Sequence, residues 1–104
     1  MKHLEAVSVC VDYGDLLKLS IPFNRHLFDK WVIVTSPDDK ETQDLCKYYK
    51  VEHVVTDKFY ENGDKFNKGK AINEGLKKLK RTDWIVHLDS DLILPANFRQ
   101  ICKE

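Results

Sequence analysis

Four short apolar runs recur along this chain, each followed by a polar turn and then by a stretch with helical spacing. They are Ala6–Val11, Trp31–Thr35, His53–Thr56 and Trp84–Leu88. Runs of this length, rich in β-branched and aromatic residues and bounded by turn formers, read as strands. The first intervening segment, Asp15 to about Phe28, carries Leu16, Leu17 and Leu19, and Pro22 is expected to break or kink it. The second, capped by Asp38 or Asp39 and running to about Tyr49, sets Leu45, Cys46 and Tyr49 on one face. A third helix is expected from about Lys68 to Lys80, after a loop containing Asn62-Gly63. A fourth should run from Pro95 to Lys103, with Pro95 at its first position. The apolar runs are continuous, not alternating, which predicts strands buried on both faces and helices on both sides of a parallel sheet. The expected fold is therefore α/β in three layers, α/β/α, with a four-stranded, mainly parallel sheet.

The length of 104 residues corresponds to a single domain, 1–104. Seventeen basic residues against seventeen acidic ones exclude a domain-wide polycation, and with it the simplest nucleic-acid binder. No apolar run approaches the roughly 20 residues that span a bilayer. The start, Met1-Lys2-His3-Leu4-Glu5, has no apolar core of a signal peptide. Cys10, Cys46 and Cys102 are widely spaced, with no Cys-x-x-Cys, so they read as reduced structural thiols. These features together lead to the expectation of a cytoplasmic protein.

In open parallel sheets, ligands bind outside the carboxyl ends of the strands, where strand order reverses. Asp12-Tyr13, Thr35-Ser36, Asp57 and Asp89-Ser90-Asp91 fall at those ends. The last is the most informative, because two acids interrupt the apolar stretch Trp84–Leu94. In extended chain, spacing two places their side chains on one side, about 6.5–7 Å apart. Either one acid caps the following helix while the other is solvated, or the two share a divalent cation such as Mg²⁺ or Mn²⁺. His87, facing the same side as Asp89, reads as a packed strand residue.

On the third helix, Ile72, Gly75, Leu76 and Leu79 form one stripe, and Lys68 lies on that stripe while Lys70 points away. Lys68 either snorkels out at the helix edge or reaches over the end of the sheet toward an anion such as phosphate. Lys58–Arg81 carries eight basic residues against three acidic ones, Glu61, Asp64 and Glu74. Such a segment suits a polyanionic small ligand or a solvated face.

These motifs, in order, resemble a known family. A first strand leads into a Tyr-containing loop, a helix reads Lys68-Gly-Lys-Ala-Ile-Asn-Glu-Gly-Leu76, and an apolar strand ends in Asp89-Ser90-Asp91. The set, over roughly residues 5 to 103, is similar to the nucleotide-binding half of a GT-A glycosyltransferase of the family-2 type, with a Rossmann-like sheet. The resemblance implies a nucleotide-diphosphate sugar donor and transfer of its sugar to an unknown acceptor. It implies Mn²⁺ or Mg²⁺ on Asp91, with Asp89 on the ribose or, through water, on the metal, Asp12 and Tyr13 at the nucleobase, and Lys68 near the phosphates or the base. After the second strand the family often carries acids that bind the base. Here Thr35-Ser36-Pro37 stands there, with Ser36 or Asp38 as substitutes. The general base and acceptor surface of the family lie beyond Asp-x-Asp, so no catalytic base is assignable in this chain. A continuation or a partner copy would supply that half.

Two other readings compete. One is a receiver-like phosphotransfer domain, with Asp57 imitating the phosphoacceptor, although the acidic pair it needs after the first strand is lacking. The other is a non-catalytic module that binds nucleotide or metal.

Overall fold

The computed structural model describes residues 3–59, 68–81 and 83–102. Asn62-Gly63, expected in a loop, the acids Glu61 and Asp64, and Lys103 lie outside these residues. The chain alternates strand and helix: β1 Leu4–Val9, α1 Gly14–Asn24, β2 Lys30–Thr35, α2 Lys40–Tyr49, β3 Glu52–Val55, α3 Lys68–Leu76, β4 Trp84–His87 and α4 Phe98–Cys102. The strands form one sheet in the order β3-β2-β1-β4, and every pairing is parallel. Val7 sits opposite Val32 on one side and His87 on the other, which makes β1 an interior strand beside β4.

The pleat sorts β1 and β2 into two hydrophobic clusters. Leu4, Ala6, Trp31 and Ile33 join Leu17, Ile21 and Cys46 from α1 and α2. Val7, Val32 and Val34 join Ala71 and Leu79, with Ile72 and Leu76 of α3 packed against them. Gly75 is the point of closest approach between α3 and the sheet. A Cβ there would stand 2.6 Å from Val34 Cγ2 and 2.9 Å from Val7 Cγ2. Only glycine lets the helix seat at that depth.

β1 and β2 are buried almost throughout, as continuous apolar runs predict, but β3 and β4 are not. Both read exposed, half-buried, half-buried, exposed, and Trp84 is 60% exposed. Among the described residues they are edge strands, each with a single neighbour, and apolar composition alone does not distinguish an edge from a centre. His87 is accordingly exposed, a correction to its reading as a packed residue.

Three helices differ from expectation, among them α3, which ends at Leu76 and not at Lys80. Pro22 lies inside α1, which runs two residues past it to Asn24. In the last turn its missing N–H removes only one intrahelical bond, and Arg25 N–H still reaches Ile21 O at 3.1 Å. The final helix begins at Phe98 and not at Pro95. Phe98 N–H closes a turn onto Pro95 O at 2.9 Å, and the Phe98 ring packs on Phe28. Asp39 caps α2 as expected, accepting from Thr42 N–H at 3.1 Å, and Lys50 ends the helix in the left-handed conformation.

A carboxylate is also built into the buried part of β1. Glu5 is fully buried and accepts the main-chain N–H groups of Lys80 and Arg81 at 2.9 and 2.7 Å. Burial pushes its pKa up, but those two bonds and His3 outweigh it, and the net shift is downward. The α3-to-β4 connection is thereby tied to the first strand.

Candidate functional site

The chain moves from β1 to β2 to β3 in one direction, then places β4 on the other side of β1. The reversal falls between β1 and β4, and the crevice outside their carboxyl ends is where an open sheet offers a ligand site. A cavity of about 260 Å³ lies there. Val9, Leu16 and Ser90 line it together with four residues singled out from the sequence: Tyr13, Lys68, Asp89 and Asp91. Tyr13, the residue preceding α1, is 59% exposed and presents an aromatic ring. Lys68 Nζ stands 3.8 Å from Asp89 Oδ1, with both side chains about half exposed. A pair this exposed contributes roughly 0–1 kcal/mol to stability, so either group can be redirected to a ligand at little cost. Lys70 lines a different cavity, beside Lys58 and Lys77.

The two acids do not share a face by strand pleat. β4 ends at His87, and Asp89 to Leu92 form a turn closed by Leu92 N–H onto Asp89 O at 3.3 Å. That turn, and not spacing two in extended chain, brings both carboxylates to one cavity. Leu92-Ile93-Leu94 does not continue the strand; Leu92 and Ile93 are about half exposed, and Leu94 packs on the core. Ser90, between the acids, points inward, and its hydroxyl donates to Val9 O at 2.8 Å, stitching the ends of β1 and β4 together.

Asp12 and Ser36 stand elsewhere. Asp12, in a left-handed conformation with φ 65°, donates its N–H to Asp39 Oδ2 at 2.9 Å. It faces a second opening with Asp15, Asp38 and Glu41. Ser36 is buried, and its carbonyl accepts from Gln43 Nε2 at 3.1 Å. Asp39 is 5% exposed and accepts from Asp12 N–H, from both the N–H and the hydroxyl of Thr42, and from the Thr35 hydroxyl. Burial raises its pKa, the four bonds more than reverse that, and the net shift is downward.

Cys10 and Cys46 are buried, and burial pushes both thiols up, Cys46 to about 12. Neither is an accessible nucleophile. At the opposite, amino edge of the sheet, a cavity of about 310 Å³ has two of its cationic side chains engaged by groups that also line it. Arg25 Nη1 donates to Tyr49 O at 2.8 Å, and Lys30 Nζ lies 3.3 Å from Glu52. Among the described residues no group of three or more His, Cys, Asp or Glu gathers as metal ligands. Sequence reasoning missed Ser20 and Asn24 of α1, both buried and both bonded to the main chain of the acidic turn. Two polar residues on the apolar stripe of Leu17 and Ile21 were the available signal.

In comparisons with known proteins, no family model matches this chain, and neither a curated protein nor a solved structure matches it.

Proposed function

We propose that this chain is a nucleotide-diphosphate-sugar-binding domain of the glycosyltransferase type, the donor half of a three-layer, Rossmann-like GT-A fold. The observation that carries the reading is the convergence of an exposed tyrosine, a lysine and two open carboxylates on one cavity at the β1/β4 reversal. Tyr13 offers a face for a nucleobase to stack on. Lys68 offers a cation for the diphosphate, whose negative charge grows as the sugar departs. Asp89 and Asp91 offer two oxygen donors. Two carboxylates make an incomplete site alone, and this fits Mg²⁺ or Mn²⁺, which take one or two carboxylates and complete their shell with substrate phosphates and water. A bound ion of that kind would supply Lewis-acid stabilisation of the leaving diphosphate. The strand order supports this reading over a receiver-like one, since the flavodoxin-like order is 2-1-3-4-5 and here β3 pairs with β2 at the edge.

Calorimetry with UDP and GDP, each with and without Mn²⁺, tests the proposal. The expected result is nucleotide binding that depends on Mn²⁺ and is lost in Asp91→Ala. Tight binding indifferent to metal would sink the assignment of the acids. A second reading, binding without turnover, has one observation in its favour. The two carboxylates lining the cavity are the ones assigned to the ion, so neither is left as a base toward an acceptor hydroxyl.

A further inference from the structure

We propose that Ser20 and Asn24, one turn apart on α1, are positioning residues that fix the acidic turn so that Asp89 and Asp91 open to the same cavity. The proposal rests on the reading of those acids as ligands of one divalent ion. Both α1 side chains are buried, Ser20 at 1% and Asn24 at 0% exposure. A polar group on a buried helix face must find partners, and here the partners lie in the turn. Ser20 Oγ donates to Ser90 O at 2.6 Å, with a longer bond to Leu17 O in its own helix. Asn24 engages both ends of its amide, Nδ2 donating to Leu92 O at 2.6 Å and Oδ1 accepting from Leu94 N–H at 2.9 Å. The grip therefore falls on residues 90, 92 and 94, while the side chains of 89 and 91 stay out of it and line the cavity, Asp89 in its exposed pair with Lys68. Packing holds only part of this segment: Leu94 packs on the core and Ser90 is buried, but Leu92 and Ile93 are 48% and 54% exposed. Two like charges directed at one point need a backbone set in advance, and these two side chains supply it together with the Ser90 hydroxyl on Val9 O.

The test uses the full chain with Ser20→Ala, Asn24→Ala and Asn24→Asp. Calorimetry with Mn²⁺ and UDP is combined with amide hydrogen exchange, after urea unfolding has established that each variant is folded. Expected are Mn²⁺-dependent UDP binding weakened ~10-fold or more and amide exchange accelerated ~10-fold, at Leu94 in Asn24→Ala and at Leu92, whose N–H closes the acidic turn, in Ser20→Ala, with β1 and β2 unchanged. Asn24→Asp, which keeps the acceptor for Leu94 N–H and loses the donor to Leu92 O, should fall between. If Asn24→Ala does not fold, Ser20→Ala decides. Faster exchange with unchanged UDP affinity would reduce both residues to structural anchors and overturn the proposal, as would unchanged exchange. Failure of the unsubstituted chain to bind UDP with Mn²⁺ would overturn the ion reading itself, and is visible before any variant is made.

Discussion

Two acidic turns stand at the same edge of the sheet, one after β2 and one after β4, and they hold their carboxylates in opposite ways. Asp39 is buried and satisfied by four donors from its own chain. Asp89 and Asp91 are exposed, and it is the main chain between and beyond them that is buried or gripped. The first arrangement uses a charge to build the fold. The second uses the fold to present two charges. Polarity at a strand end therefore says little alone; what matters is whether the carboxylate or its backbone carries the structural bonds.

The largest expected effect lies on the buried side of this comparison. Asp39→Ala strips a helix cap and leaves Asp12 N–H, Thr42 N–H and two hydroxyls without their acceptor. It should cost at least about 3 kcal/mol, since each donor left buried and unsatisfied costs about 1–3 kcal/mol and a lost cap about 1 kcal/mol, while the N–H of Asp12, an exposed residue, can turn to water. Urea unfolding measures it directly. A loss below about 0.5 kcal/mol, the level of an ordinary surface substitution, would place Asp39 with the exposed acids.

Asp91→Ala should do the reverse. Stability should stay within about 0.5 kcal/mol of the parent, while Mn²⁺-dependent UDP binding falls at least ~10-fold, an effect of about 1.4 kcal/mol or more. A large fall in the urea midpoint with binding retained would mean that both turns are structural.

The buried acids also set the acid limit of the fold. Glu5 and Asp39 both have pKa values lowered in the folded chain, because donors outweigh burial. A lowered folded pKa means that the stability these carboxylates contribute is present above their unfolded values, near pH 4, and is lost as pH falls through the folded values. Glu5→Gln cannot titrate, so it should be less stable than the parent at pH 7 and converge with it toward pH 2. Urea midpoints across that range check the sign. A constant gap at every pH would remove Glu5 from the acid limb.

Much of this was legible in residue order. Short apolar runs rich in β-branched residues identified β1 and β2, and a short acceptor just before a helical stripe narrowed the cap of α2 to Asp38 or Asp39, of which the structure takes Asp39. The stripe on α3 placed Lys68 and Lys70 on different faces, and the structure sets them in different cavities. Less legible was whatever depends on which strand lies beside which. His87 and Trp84 look like core residues until β4 is known to be an edge. The acidic pair looks like a pleat until the turn closed by Leu92 is seen. Ser20 and Asn24 contact residues about 70 positions away, a separation that no local pattern encodes.

The smallest expected effect separates the two lysines of α3. Lys68 is 3.8 Å from Asp89 and lines the cavity, whereas Lys70 does not. Lys68→Ala should weaken UDP binding roughly 3- to 10-fold, the loss of one charge-assisted contact in an open site. Stability should barely move, because an exposed ion pair contributes roughly 0–1 kcal/mol. Binding of Mn²⁺ without nucleotide should be unchanged or tighter, since the substitution removes a cation that competes for Asp89. Lys70→Ala should leave all three quantities alone. If Lys70→Ala instead weakened UDP binding while Lys68→Ala did not, the phosphates would lie on the outer face of α3. The open acids would then be solvated side chains, and the contrast between the two turns would lose its functional half.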